Sequence, residues 1–287
     1  MTRIDAHHHL WPADVISRQP WRPPDDAVLR RAFESGEFES ALDLSAIDGS
    51  IVMQSVDAFD ENDRLAAYAA GSDRILGWVG YADLPDADAG ARHVRDLAAM
   101  RTAAGGDKLV GVRCLVGADP MAWTADPAGR RVLEAVADAS LVWDVVPITA
   151  QQVDAVVQVA RALPALRIVV DHLASPPVGG DGAAEWQARL ERLAACPNVA
   201  IKLSVGVAVL QNWSAWDPEA LTPFVRAAVQ AFGPGRSMLA SNWPVVLLRA
   251  SHEQAWRDVV GALDHLDAES RARIEGGTAG EWYRVGA

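Results

Sequence analysis

The sequence predicts an α/β fold, a single (β/α)8 TIM barrel with a long loop after the first strand, and three observations carry that expectation. Short apolar runs rich in β-branched residues recur along the chain, eight of them, with amphipathic stretches between. Connections of this length carry the chain back over the sheet, which makes the strands parallel. The G-x-G-x-x-G turn that would mark an open doubly wound sheet is absent from the sequence. One barrel then accounts for residues 1–287 as a single domain, since such barrels run to about 250 residues or more.

The strand runs are Arg3–His8, Ser50–Ser55, Ile75–Ala82, Leu109–Cys114, Leu141–Val146, Arg167–His172, Val199–Ser204 and Ser237–Ser241. Between them, Glu61–Gly71, Ala89–Ala103, Pro127–Ala139, Ala150–Leu163, Ala184–Ala195, Pro218–Phe232 and Ser251–Leu263 place Ala, Leu and Val at three- and four-residue spacing among charges, the pattern of a helix with one buried face. The stretch Trp11–Leu44 differs, with four Pro and two Trp before a late helical segment. It is too long for a simple turn after the first strand, and loops there lie at the catalytic face of a barrel, so it is read as a lid or pocket wall.

The charge balance narrows the partners. With 26 Lys+Arg against 38 Asp+Glu, a net charge of −12 and no basic run, the chain lacks the positive field that nucleic acid or an anionic membrane surface requires. A small-molecule substrate is expected instead, and a homo-oligomer is left open. No apolar stretch approaches the roughly 18 residues of a membrane span, and three His follow Met1-Thr2-Arg3-Ile4-Asp5-Ala6 where a secretory leader would be apolar; a cytoplasmic protein is expected. Cys114 and Cys196 stand far apart without a C-x-x-C pair, which argues against a disulfide framework or a cysteine-bound zinc. Cys114 is read as a small buried hydrophobe. Tryptophan is over-used, 11 residues beside 3 Tyr and 5 Phe.

Candidate chemistry begins at His7-His8-His9. Side chains alternate along a strand, so His7 and His9 point to one side and His8 to the other. Two imidazoles at the carboxyl end of a barrel strand face the pocket, where they bind a metal or polarise a carbonyl; a tag-like His-rich terminus is the rival reading. His172 closes Ile168-Val169-Val170-Asp171-His172 at another strand end. Alternation puts Val170 and His172 on one face and Asp171 on the other, which makes Asp171 a supporting or helix-capping carboxylate.

These pieces resemble the amidohydrolase superfamily, in the group that holds sugar-acid lactonases and pyrone-dicarboxylate lactonase. The matching segments are Ile4-Asp5-Ala6-His7-His8-His9-Leu10-Trp11, Gly111-Val112-Arg113, Val170-Asp171-His172-Leu173-Ala174-Ser175-Pro176, Ile201-Lys202-Leu203-Ser204, Phe232-Gly233-Pro234-Gly235-Arg236 and Ser241-Asn242-Trp243-Pro244-Val245. They span nearly the whole chain in order. The resemblance implies that His7 and His9 bind a metal or polarise a lactone carbonyl, that His172 assists them, and that Arg113 reaches the substrate. It implies a hydrolase of carbohydrate metabolism that opens the lactone of a sugar acid with an activated water. A decarboxylase on the same scaffold and a catalytically silent ligand binder are the alternatives.

One position departs from the pattern. Similar enzymes carry Asp before Trp-Pro at the eighth strand as general base, and here Asn242 stands in its place. An amide takes no proton near neutral pH, although it still holds a water. Three readings stand: an introduced near-isosteric replacement, a natural amide with another residue as base, or the silent binder. Replacement bases near strand ends are Asp57, Asp60, Glu61 and Asp144, of which Asp144 follows the pattern Val142-Asp144-Val146 and faces the barrel interior, whereas Asp60 and Glu61 look like helix-start acids. Lys202, on a face with Ser204, either touches substrate or pairs with an acid. The visible nitrogen ligands are His7, His9 and His172, and with no Lys or Glu bridge recognisable at the fourth strand a two-metal site is disfavoured. One divalent metal, zinc by donor type, and no metal at all both remain open. Trp11, Trp21, Trp213, Trp216 and Trp243 fall where the barrel has its active face, and indole rings there suit the C–H surface of a sugar lactone. Trp78, Trp123, Trp143, Trp186, Trp256 and Trp282 are read as core.

Overall fold

The computed structural model describes residues 2–23, 26–103 and 105–286. Eight strands, β1 (Ile4–His8), β2 (Gly49–Met53), β3 (Ile75–Tyr81), β4 (Leu109–Arg113), β5 (Val142–Val145), β6 (Ile168–Val170), β7 (Val199–Leu203) and β8 (Ser237–Leu239), pair in sequence order, each parallel to the next. The chain beyond β8 closes the ring on β1. There the Asn242 amide donates to the His7 carbonyl at 2.8 Å and the His9 amide to the Trp243 carbonyl at 2.7 Å. The fold is the (β/α)8 barrel that the strand–helix alternation predicts.

Helices α1 (Ser35–Leu44), α2 (Glu61–Gly71), α3 (Ala87–Met100), α4 (Pro127–Asp138), α5 (Ala150–Ala162), α6 (Ala183–Ala194), α7 (Val207–Asn212), α8 (Pro218–Phe232), α9 (His252–Gly261), α10 (Ala268–Ala272) and α11 (Thr278–Tyr283) follow the strands. Many start where a side chain accepts from the first free N–H groups. Asp86, Asp126, Asp217, Ser251 and Asp267 do so, and Thr149 forms a reciprocal capping box with Gln152. Pro127 and Pro218 sit at first helical positions, where no N–H is needed. The short α7, α10 and α11 are absent from the sequence-based reading, because one or two turns carry too few periodic positions to stand out. Among the described residues no helix is long and apolar enough to cross a membrane.

Two apolar layers separate along the strands. Ile51, Met53, Val79, Val110, Val142, Val169, Ala200 and Met238 form the inner cluster with Ile4 and Ala6, and α11 adds Trp282 and Tyr283 to it. Val52, Trp78, Val112, Trp143, Val145, Ile168, Val170, Ile201 and Leu203 belong to the other, strand-to-helix layer. Period-two alternation therefore fixes which polar residues point inward: those in step with Val142, Val169 and Ala200, namely Asp144, Asp171 and Lys202. β1 breaks step, since its register against β2 shifts between Asp5 and His8. Ala6 lies in the inner cluster while His7 and His9 meet each other ring to ring, so the irregularity is what brings His7 inward.

Candidate active site

His7 near the end of β1 and His9 just past it converge, as alternation predicts. Their Nε2 atoms lie 3.1 Å apart, both rings are buried, and His9 Nδ1 faces the Met53 carbonyl at 3.1 Å. That bond makes Nδ1 the donor and leaves Nε2 of neutral His9 with its lone pair toward His7. His7 Nε2 also receives Arg113 Nη1 at 3.2 Å, and His7 Nδ1 faces Asp171 Oδ1 at 3.3 Å. Arg113 donates to Asp171 Oδ2 at 2.9 Å. Lys202 approaches Asp171 Oδ1 at 3.0 Å, His7 Nδ1 at 3.3 Å and Asp144 Oδ1 at 2.6 Å.

Asp171 thus occupies the centre of the site, against the expectation that it faces away. Two local facts explain the reversal. β6 stops at Val170, with Asp171 in step with the inward Val169, and the next four residues, His172 to Ser175, all take left-handed φ between 53° and 54°. That turn swings His172 back over the barrel mouth, where its ring centroid is 4.5 Å from that of His7 and Nδ1 meets Ser204 Oγ at 2.9 Å. Non-glycine residues in this conformation are rare and cluster at functional sites.

Burial sets the protonation states. His7 and His9 are held well below the usual imidazole range by burial, and the neighbouring Arg113 pushes His9 further down. His172 falls to about 3 for the same first reason, with Arg113 and Lys202 adding to it against Asp171. The three rings are neutral at pH 7. Burial alone would raise Asp171, yet Lys202, His7 and Arg113 hold it well below the carboxylate range, so it is an anion. Asp144 goes the other way, pushed up to about 6 by burial although Lys202 opposes this.

A cavity of about 190 Å³ opens at the carboxyl ends of the strands, with His9, Arg113, His172 and Asn242 among its lining residues. Asn242 has φ 58°, a left-handed position that Asn tolerates, and its Nδ2 donates to the Val205 carbonyl at 2.8 Å. Its Oδ1 and the Nε of Arg113 are buried without a partner among the described residues. Other buried side-chain atoms also lack a partner, His8 Nδ1 and Asp144 Oδ2 among them, but Arg113 and Asn242 are the residues of that group that line the cavity, which makes their free atoms the places where a ligand would complete the site.

Several expected contacts lie elsewhere. Lys202 and Asp144 are fully buried and do not line the cavity; with Tyr283, whose hydroxyl donates to Asp144 Oδ1 at 2.6 Å, they form a charged layer beside the inner apolar cluster. Lys202 pairs with acids, Asp144 and Asp171, which is one of the two readings its strand position allows. Tyr283 was not legible as a participant, since nothing in the sequence near it marks a site. Of the expected tryptophan wall, Trp21 alone lines the cavity among the described residues, its Nε1 donating to the Ser55 carbonyl at 2.8 Å. Trp11 is fully buried and donates to the Arg31 carbonyl, while Trp243 packs on Phe33 and Phe38. Trp213 and Trp216 meet edge to face, the latter bonded to Asp258. The loop after β1 does supply a wall through Trp21, pinned by Gln19 to Ser55 at 3.0 Å.

None of the four replacement acids faces the cavity. Asp57 accepts from Gln54 and from the Leu115 amide, Asp60 pairs with Arg18, and Glu61 accepts from Ser55 and Val56. His7, Asp171 and His172 form a group whose ligand atoms all lie within 4.8 Å of one another, so Asp171 takes the place expected for His9 in that set.

The amidohydrolase family pattern matches residues 4–285. The chain belongs to the amidohydrolase family. It is 32% identical to an L-fucono-1,5-lactonase of Burkholderia ambifaria over 99% of this chain and 96% of that one, and 31% identical to the enzyme of the same name from Burkholderia multivorans, at the same coverage. A crystal structure of a Burkholderia multivorans amidohydrolase with bound zinc superposes with a TM-score of 0.87 at 30% identity, covering 100% of both chains. In this amidohydrolase the cavity floor falls on the segments that the sequence reading tied to the family.

Proposed function

We propose that the protein hydrolyses the lactone of a sugar acid or a similar small hydroxy acid. The observation that carries this reading is the pair of unpartnered buried atoms, Arg113 Nε and Asn242 Oδ1, in a cavity that also holds neutral His9 and His172. The lactonase relatives support it. Arg113 donates to the lactone carbonyl oxygen and stabilises the charge that grows there as water adds. Asn242 Oδ1 accepts a hydrogen bond from that water and orients it, without taking its proton. The proton passes to His172, whose Nδ1 is tied to Ser204 and whose other nitrogen is free. As the ring C–O bond breaks, His172 returns the proton to the departing alkoxide, and the hydroxy acid product releases a proton to solvent.

The donor set also fits a divalent metal, with zinc the match by donor type. When His7 Nδ1 donates to Asp171, the lone pairs on Nε2 of His7 and of His9 face each other at 3.1 Å, a pair of neutral nitrogen donors that a cation would satisfy together. His7 and His9, with His172 or Asp171, would hold it, and it would supply Lewis acidity toward the carbonyl and a bound water of lowered pKa. We place the activity in carbohydrate metabolism in the cytoplasm, with a small-molecule substrate and neither nucleic acid nor membrane as partner.

The test is acidification of a weakly buffered lactone panel, followed with a pH indicator. Acid release at a rate proportional to protein concentration is expected, and no response from any lactone would overturn the reading. Carbon dioxide release without net acid would move the assignment to a decarboxylase.

A further inference from the structure

The last helix, α11, meets the barrel at the end opposite the cavity. Arg167, just before β6, donates to the Glu281 and Trp282 carbonyls, and Trp282 Nε1 donates to the carbonyl of Gly235, which precedes β8. From there Tyr283 enters the inner layer. Its hydroxyl donates to Asp144 Oδ1 at 2.6 Å, and its ring centroid lies 5.4 Å from Lys202 Nζ. Burial holds this phenol well above its ordinary pKa, so it stays a donor. Asp144 Oδ1 also takes Lys202, at 2.6 Å, while Oδ2 has no partner among the described residues.

Lys202 has a second place to go. Its Nζ lies 3.3 Å from His7 Nδ1, and that nitrogen also faces Asp171 Oδ1 at 3.3 Å. A neutral imidazole carries one ring proton, so a bond from Lys202 to Nδ1 and a bond from Nδ1 to Asp171 exclude each other. With the proton on Nδ1, His7 donates to Asp171, and Nε2 keeps the lone pair that accepts from Arg113 Nη1 at 3.2 Å. With Lys202 on Nδ1, the proton sits on Nε2, where it is shared with His9 at 3.1 Å and meets Arg113 donor against donor. The carboxylates decide between the two, since bonds of 2.6 Å to Asp144 and 3.0 Å to Asp171 outweigh one of 3.3 Å to a neutral ring. We infer that Tyr283 is a positioning residue: by fixing Asp144 it holds Lys202 on the carboxylates, keeps the His7 proton on Nδ1, and so orients Arg113 toward the substrate. This rests on the lactonase reading and extends it to a side chain that never touches the lactone. Loss of the hydroxyl leaves Asp144, already pushed up to about 6 by burial, with one donor fewer to keep it ionised, and a neutral Asp144 holds Lys202 less firmly.

A double-mutant cycle tests the inference on whichever lactone turns over fastest. Tyr283→Phe keeps the ring and its packing. We expect kcat to fall about tenfold in Y283F with KM within about twofold, and the same change to cost less than about twofold in the Asp144→Asn background. An equal fall in both backgrounds, or an unchanged kcat in folded Y283F, overturns the inference. The second readout needs neither substrate nor D144N. In 15N spectra of histidine-labelled protein, with the His7 signals identified by their loss in H7Q, the proton is expected on Nδ1, and in Y283F it is expected to move in part to Nε2. The same tautomer in both proteins overturns the inference. If no lactone turns over, the lactonase reading has failed by itself, and the tautomer spectra alone decide whether Tyr283 orders the His7 ring.

Discussion

β1 carries a histidine–carboxylate cluster on each of its two faces, and the two are built from the same residue types. On the outer face, Asp5 accepts from the Ser241 amide at 2.9 Å, the Ser241 hydroxyl at 2.5 Å and the His7 amide at 3.1 Å, and faces His252 Nε2 at 3.2 Å. Ser45 caps the other nitrogen of His252 at 2.8 Å, and His8 stacks on Phe38 with centroids 3.7 Å apart. Burial opposes ionisation of Asp5, but His252, His8 and Ser241 keep its pKa below the ordinary value. On the inner face, His7, His9, Asp171 and His172 sit beside two basic side chains, Arg113 and Lys202.

The difference lies in where each cluster leaves atoms unsatisfied. Around Asp5 the carboxylate is consumed by bonds that tie β1 to the end of β8 and to α9, and the His8 ring, whose nitrogens have no partner among the described residues, stacks on Phe38 and does not line the cavity that holds Arg113 and Asn242. The inner cluster borders a cavity and leaves Arg113 Nε and Asn242 Oδ1 open. A serine, a histidine and an aspartate in hydrogen-bond sequence are therefore no sign of catalysis unless a reacting atom has somewhere to sit.

The largest expected effect comes from Asn242→Asp. An acid at this position takes the water proton directly, and lactone turnover should rise by about 100- to 10,000-fold, read as kcat in the acidification assay. An unchanged rate would mean that Asn242 does not face the attacking water. Next is Arg113→Met, which removes the donor to the carbonyl oxygen; kcat/KM should fall about 100- to 1,000-fold, with the loss mainly in kcat. The outer cluster should behave oppositely. His252→Ala takes away one partner of buried Asp5 and should cost about 3 kcal/mol in denaturant unfolding, while kcat/KM stays within a few-fold. A large loss of turnover in a well-folded H252A protein would erase the contrast between the two faces.

The smallest effect is a pH slope. His8 has its pKa pulled from 6.5 to about 3 by burial, so between those values the unfolded chain binds a proton that the folded one does not. Its contribution is fully present above about pH 6.5 and is lost as pH falls toward 3. His8→Phe keeps the stack on Phe38 and removes the titration. The drop in Tm between pH 7 and pH 4 should be shallower in H8F than in the unaltered protein.

The barrel was legible because β-branched runs and helical spacing are local signals, and the convergence of His7 with His9 because strand alternation is local too. Asp171 follows the alternation of Val169 and points inward; the sequence reading reverses it by counting from His172, which a left-handed turn past the strand end, not the strand itself, brings over the barrel mouth. Lys202, Asp144 and Tyr283 meet across β7, β5 and α11, a contact that closure of the barrel creates and sequence spacing does not encode. The tryptophans misled for a related reason. Their position after strands was read correctly, but large indoles there fill the gaps between loops and strands, and the cavity wall is made of Val, Leu and Ile instead.

The central claim is that the floor formed by Arg113, His172 and Asn242 adds water at a lactone carbonyl. Turnover in 18O-labelled water with mass analysis of the hydroxy acid tests it most directly. The account predicts one labelled oxygen in the carboxylate, one proton released per ring opened, and loss of both signals together in the Arg113→Met protein. Label in the new hydroxyl group, or a lactone recovered intact and unlabelled from every member of the panel, would contradict it.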